Sequence, residues 1–326
     1  MELDFERTLK PLRDEIAQLE EKQLKGDSLV AGELATLGRQ LQVEVSKLYS
    51  SLAPWDIVQV ARHPGRPTIM DYISGMCDEF IELHGDRAFG DDKAIVGGLA
   101  RINESRFVIV GHRKGTTVES NIECNFGMGN PEGYRKAMRL MRLAEKWGIP
   151  VVTMVDTPGA FPGLEAEARG QAEAIGRNLM EMAALETPIL TIVTGEGGSG
   201  GALGIAVADR VFMLQYAVYS VISPEGCASI LWRDGAKARE AAEALRITSH
   251  DLAGLGIVDG IIPEPVGAAH SNPKEAVENV KRTILEQLAT LSAQSGAMLV
   301  ENRCRKFAAM GRFNGKESET LQGTNQ

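Results

Sequence analysis

Several things are missing from these 326 residues, and each absence narrows what the chain does. There is no C-x-x-C pair. Cys77, Cys124, Cys227 and Cys304 stand alone, which argues against a zinc site or a disulfide framework and points to a reducing compartment. Positive charge is not in excess either: the formal net charge is −9 at pH 7, so no overall positive field would draw nucleic-acid phosphates in. No apolar run is long enough to cross a bilayer. The opening "MELDFERTLK" is acidic and amphipathic and lacks the apolar core of a secretory signal. These gaps predict a cytoplasmic protein with neither a membrane nor a nucleic-acid partner.

Glycine, by contrast, is plentiful. The 35 glycines fall in turns rather than in a periodic array, a sign of many tight strand-to-helix connections. Hydrophobic content of 44% and charged content of 24% are those of a globular protein, and the length suggests one large domain with appendages. Three regions are expected: a helical hairpin arm over 1–50, a main domain over 51–292, and a helix end followed by a disordered tail over 293–326. In the arm, Phe5, Leu9, Leu12, Ile16 and Leu19 recur in steps of four and three. Beyond a breaker around "KGDS", Leu34, Leu37, Leu41, Val45 and Leu48 do the same.

From Ala94 onward, short β-rich runs alternate with helical stretches. "NP" at 130–131 and Gly148 bracket one helix, and Asn272-Pro273 opens another whose apolar face carries Ala276, Val277, Val280, Ile284, Leu288 and Leu291. One internal echo stands out: "PVVTMVDTPG" from 150 and "PILTIVTGEG" from 188 align position by position, 38 residues apart. A repeated strand–turn–helix unit predicts an α/β fold with a mostly parallel sheet and its turns stacked along one edge, where ligands bind.

The second turn continues as "TGEGGSGGALG" over 194–204 and fits several motifs at once. Gly195, Gly197 and Gly200 spell a dinucleotide fingerprint, but the acid needed about twenty residues on is missing from "QYAVYS". Gly197, Ser199 and Gly201 spell a nucleophile elbow, with Asp259 and His270 following in hydrolase order; those two lie too close together to leave room for the usual intervening strands, and His270 reads as a surface or capping residue. "DTPG" at 156–159 imitates a GTPase switch without the upstream phosphate loop. Two readings remain open. Gly200 and Gly201 either present bare N–H groups at a helix start to a developing oxyanion, or merely permit close helix–strand packing. Arg135, Arg139, Arg142 and Lys146 form a basic stripe at helical spacing, read as a solvated face or as a site for phosphates or a partner's acids. Cys227 reads as a packed residue.

"DTPGAFPG" at 156–163, "GEGGSGGALG" at 195–204, "VISPEGCASILWR" at 221–233, "GDDKAIVGG" at 90–98, "NFGMGNPEGYRKAMRLM" at 125–141 and "IIPEPVGAAH" at 261–270 closely resemble the carboxyltransferase alpha subunits of bacterial-type acetyl-CoA carboxylase. The resemblance covers nearly all of residues 1–290. It implies an α/β crotonase-like (ClpP/crotonase) spiral of ββα units. It also implies a beta subunit with a zinc ribbon, forming an α2β2 complex, and no metal in this chain. Biotin arrives as carboxybiotin on a separate carrier protein, acetyl-CoA is carboxylated to malonyl-CoA for fatty acid synthesis, and ATP is used by the biotin carboxylase component. Under this resemblance the Gly200 and Gly201 amides face the ureido oxygen of biotin, while Gly159, Ala160, Phe161 and Ala202 line its pocket. The chain carries no M-K-M biotinylation motif of its own. Two alternatives stay open: a non-catalytic assembly subunit of the same complex, and a crotonase-fold acyl-CoA hydrolase or isomerase acting alone.

Overall fold

The structure, a computed structural model, describes residues 3–25 and 30–311. Most of the breaker expected in the arm, and the tail from 312, lie outside these residues. Helices α1 (Lys10–Leu24) and α2 (Ala31–Tyr49) are followed by α3 (Pro54–Ala61), α4 (Ile69–Met76) and strand β1 (Glu79–Glu82). Next come β2 (Ile95–Ile102), β3 (Ser105–His112), α5 (Val118–Glu123), α6 (Pro131–Trp147), β4 (Val151–Thr157), α7 (Leu164–Ala168), α8 (Gln171–Ala184), β5 (Ile189–Gly198) and α9 (Ser199–Leu203). The chain continues through β6 (Arg210–Leu214), β7 (Val218–Ser220), α10 (Pro224–Trp232), α11 (Ala238–Leu245), α12 (Ser249–Gly254), β8 (Gly260–Ile262), α13 (Pro273–Leu291) and α14 (Gly296–Ala308).

The strands form one sheet in the order β1-β2-β3-β4-β5-β6-β8, with β7 added beside the end of β5. β2 runs antiparallel to both β1 and β3; every later strand pairing is parallel. The sequence echo is the sheet register itself. Val151 pairs with Ile189, and the partners keep the 38-residue offset through Val155 and Val193. Thr153 and Thr191, equivalent in the two copies, share a hydrogen bond at 2.7 Å between their hydroxyls.

Helices cover both faces of this sheet. Neighbouring residues on a strand point to opposite sides. Gly97 sits beneath Leu140 of α6, while Gly111, which pairs with Val96, sits beneath Ile69 of α4. With α8 packed on α6 and α13 on α4, the result is three layers. Burial on both faces explains why β4 and β5 read as continuous apolar runs rather than alternating ones.

The helix signals act locally as their chemistry demands. Pro131 occupies the first turn of α6 and Gly148 ends it in the left-handed region at φ 65°. Asn272 caps α13 by accepting the Glu275 amide, and all six residues of its apolar face are buried. In the N-terminal arm, Phe5 meets Tyr49 edge-on at 5.5 Å, so the start of the chain lies beside the end of α2. The pair then packs on Tyr216 and Ala268 of the main domain.

α14 is a separate helix rather than the end of α13. Its apolar period is weak because a buried anchor is an arginine. Arg303 is 1% exposed, donates to both carboxylate oxygens of Asp209 at 3.0 and 2.9 Å, and also serves the carbonyls of Met182, Leu185 and Thr187. The first two carbonyls belong to the end of α8, where helix geometry leaves acceptors unsatisfied. No helix among the described residues is long and apolar enough to cross a membrane.

Candidate active site at the ends of two paired strands

The turns that follow β4 and β5 lie against each other at the carboxyl edge of the sheet. A Cβ on Gly201 would fall 2.4 Å from both the Ala160 nitrogen and the Gly159 carbonyl carbon. One on Gly198 would fall 2.1 Å from the Pro158 oxygen. Backbone therefore touches backbone, and only glycine allows it. The "DTPG" stretch is one half of this contact.

Gly200 is different. The nearest atom to a Cβ there is Ile175 Cδ1 at 3.8 Å, an ordinary van der Waals contact, and its φ is not positive. Neither packing nor backbone strain requires glycine at this position. Helix α9 begins just before it, and the N-cap Gly198 offers no side-chain acceptor. The first-turn amides of a helix have no intrahelical partner. At Gly200, which is partly exposed, a first-turn amide is thus combined with the least obstructive residue, whereas Gly201 is buried against the facing turn.

The predicted pocket residues divide. Gly159, Ala160 and Phe161 are partly exposed in the adjoining turn, and a Cβ on Gly159 would meet nothing within 4 Å. The Gly159 amide is already bonded to Thr157 Oγ1 at 3.1 Å, so it is not a free donor. Ala202 has its methyl in the main core, at 0% exposure. Beside the start of α9 lies an apolar cavity of about 380 Å³, lined by Ser199, Leu203, Tyr219, Ile247 and Phe307 among others.

Support for the two turns comes from residues with no motif signature. Tyr134 donates its hydroxyl to the Gly201 carbonyl at 3.2 Å, and Asn178 bridges the carbonyls of Tyr134 and Gly204, both at 2.9 Å. Behind them His112, 1% exposed, lies edge-on to Tyr134; burial pushes its pKa down to about 3, outweighing the opposing pull of the Gly201 and Met154 backbone, so it is neutral. An ion network ties the strand ends together. Lys114 contacts Asp156 at 2.7 Å and Glu196 at 3.0 Å, and Arg62 joins Glu196 at 2.6 Å to Glu225 at the start of α10. Burial alone would raise the Glu196 pKa, but Lys114 and Arg62 hold it below the usual carboxylate range. Asp156 also accepts the Glu196 amide at 2.9 Å. Spacing could not reveal this cluster, because its members lie 40 to 163 residues apart.

Ser199 does occupy a strand-to-helix turn in the left-handed region, at φ 47°, and is exposed. That is the backbone of a nucleophile elbow, without its partners. Asp259 accepts the Val211 amide at 2.7 Å and pairs with Arg210 and Lys306, at the opposite end of the parallel strands. His270 stacks on His63 with ring centroids 3.9 Å apart. Ser199, Asp259 and His270 therefore do not form a triad. Cys227 is buried against Ala228 and Ala241. Among the described residues no group of three or more His, Cys, Asp or Glu side chains is placed to hold a metal ion.

Comparison with known proteins agrees with this architecture. Transcarboxylase 12S, in a crystal structure with methylmalonyl-coenzyme A bound, superimposes with a TM-score of 0.57 at 21% identity, covering 78% of this chain and 44% of that one. One chain of a Pseudomonas malonate decarboxylase hetero-tetramer gives a TM-score of 0.58 at 14% identity, covering 74% and 94%. These likenesses show the fold, which is crotonase-like. Residues 2–311 match the family described as acetyl co-enzyme A carboxylase carboxyltransferase-like. The acetyl-coenzyme A carboxylase carboxyl transferase subunit alpha of Azoarcus sp. (strain BH72) is 54% identical over 311 residues, 95% of this chain and 97% of that one. The same subunit of Xanthomonas campestris pv. campestris (strain B100) is 50% identical over 313 residues, 96% and 98%. The chain belongs to the acetyl-CoA carboxylase carboxyltransferase alpha-subunit family. It is a carboxyltransferase subunit.

Proposed function

We propose that this chain supplies the carboxybiotin half of a two-chain active site, with the Gly200 and Gly201 amides as its oxyanion hole. The observation that carries the reading is Gly200: a glycine that no neighbouring atom requires, in the first turn of an uncapped helix. The chemistry fits that observation. Carboxybiotin, when bound, supplies the carboxyl group and leaves negative charge on its ureido oxygen. Two adjacent amides at the positive end of a helix stabilise such charge, and they need no reorganisation to do so. Tyr134 holds the Gly201 carbonyl and the Gly159–Ala160 turn packs against the Gly201 Cα, so the start of α9 is steadied before any ligand arrives. Phe161 offers an apolar wall beside them. No side-chain base is required of this chain.

The partner in this reading is a beta subunit of similar fold, which holds acetyl-CoA and carries its own zinc ribbon. The two chains assemble as α2β2 in the cytoplasm. A biotin carboxyl carrier protein and an ATP-using biotin carboxylase complete the enzyme. The product is malonyl-CoA. Transfer from carboxybiotin to acetyl-CoA, followed by mass spectrometry, tests this: the mixed complex is active and this chain alone is not. Thioester hydrolysis by the isolated chain would instead establish a stand-alone enzyme.

A further inference from the structure

Helices α6 and α8 and the loop carrying Asp86 and Arg87 enclose a second groove, of about 540 Å³. Six cations line it (Arg87, Arg135, Arg139, Arg142, Lys146 and Arg177) against one acid, Asp86. Three of the six are neutralised in place. Arg135 Nε donates to Asp86 at 2.8 Å, and Arg142 and Arg177 share the carboxylate of Glu181. The other three have no carboxylate within ion-pair distance among the described residues. Arg139 donates to the carbonyls of Gly85 and His84 at 3.0 and 3.2 Å, and Arg87 donates to the same His84 carbonyl at 2.8 Å. Lys146 is exposed at the end of α6.

Two guanidiniums on one carbonyl oxygen are like charges brought together with no carboxylate in direct contact, Asp91 and Asp86 attracting Arg139 only from a distance. Burial and the nearby Arg87 both push the Arg139 pKa down. The loop is also built to hold this arrangement. Arg87 sits in the left-handed region at φ 64°, which residues with side chains seldom adopt, and Asp86 fixes the loop by accepting the amides of Ala88, Phe89 and Gly90. In a chain of net charge −9, such a concentration of unpaired cations suits an anion. Seven residues of helix separate Arg139 from Lys146, about 10 Å at the α-helical rise. That span exceeds one phosphate and fits a chain of them.

We propose that this groove binds a polyphosphate, bridged between Arg87, Arg139 and Lys146. Two sources share that chemistry: the phosphates of coenzyme A and a free nucleotide polyphosphate. The site stands apart from the glycine turn, and its test is a binding measurement independent of transferase activity. Calorimetric titration of the purified complex with inorganic tripolyphosphate is expected to show binding that weakens as salt is added. Lys146→Gln and Arg139→Gln are each expected to lower the affinity at least tenfold. Arg139 anchors the loop, so Lys146→Gln serves as the variant that leaves the fold alone. An absence of binding to the wild-type complex, or equal affinity in Lys146→Gln, overturns the site. Competition by coenzyme A, with a raised KM for acetyl-CoA and unchanged kcat in Lys146→Gln, assigns the groove to the substrate; tripolyphosphate binding untouched by coenzyme A assigns it to a free effector.

Discussion

Replacing Gly200 by alanine separates fold from chemistry, because the two respond in opposite directions. The added methyl would lie 3.8 Å from Ile175, so nothing has to move. Alanine at a compatible position is expected to stabilise the protein by about 0.4–1 kcal/mol through the unfolded chain. If the Gly200 amide is an oxyanion donor approached closely by biotin, the same methyl obstructs that approach. Losing one such donor lowers kcat by about 10²–10³, or about 2.7–4 kcal/mol. Gly201→Ala is the contrast. Its methyl would fall 2.4 Å from the backbone of the facing turn, so the turns must separate, at about 1–3 kcal/mol of stability. The assay pairs thermal unfolding with carboxyl transfer from malonyl-CoA to a soluble biotin derivative by the complex. A Gly200→Ala complex that melts no lower than wild type and transfers at least a hundredfold more slowly fits the reasoning. Wild-type transfer by that variant would refute it, because no ligand would then come near the position.

Other perturbations test the supporting structure. Tyr134→Phe removes the hydroxyl that holds the Gly201 carbonyl, and kcat should fall roughly two- to tenfold with little change in KM, the worth of about one hydrogen bond; equal kcat would remove Tyr134 from the positioning role. Arg303→Ala strands Asp209 in the interior, and urea unfolding should register a loss of about 3–5 kcal/mol; a loss under 1 kcal/mol would mean α14 is dispensable. His112 titrates near 6.5 when unfolded and at about 3 when folded, so the unfolded chain binds the extra proton between those values. Its contribution is whole above about pH 6.5 and declines as pH falls, by up to about 1.4 kcal/mol per unit. Urea midpoints at pH 7 and pH 5 measure the decline, and His112→Gln should flatten it; an identical slope in the variant would place the acid sensitivity elsewhere.

What the sequence revealed depended on whether a feature was local. The proline and glycine at the ends of α6, and the Asn-Pro start of α13, act within one turn of chain, so their chemistry is legible from neighbours. The repeat at 150 and 188 was visible because paired strands in equivalent units place equivalent residues side by side. The glycine turn was legible as special but ambiguous as to purpose. Only the facing backbone distinguishes Gly201, which packing requires, from Gly200, which it does not. The Lys114–Asp156–Glu196–Arg62 network is invisible in one dimension, because its pairings are set by where distant strands end. Helix α14 was hidden for another reason: its deepest residue is charged, which breaks the apolar rhythm that announces a buried face.

The pairing of Arg303 with Asp209 also imposes an order on how the protein comes into being. The carboxylate is made 94 residues before the guanidinium that neutralises it. Throughout that interval of synthesis the Ile189 amide bonds the carboxylate, but no guanidinium neutralises its charge as the strand pair closes. The final closure of this edge of the domain is therefore a late event, and a chain cut short before α14 would leave a polar flaw where the finished protein has a clasp.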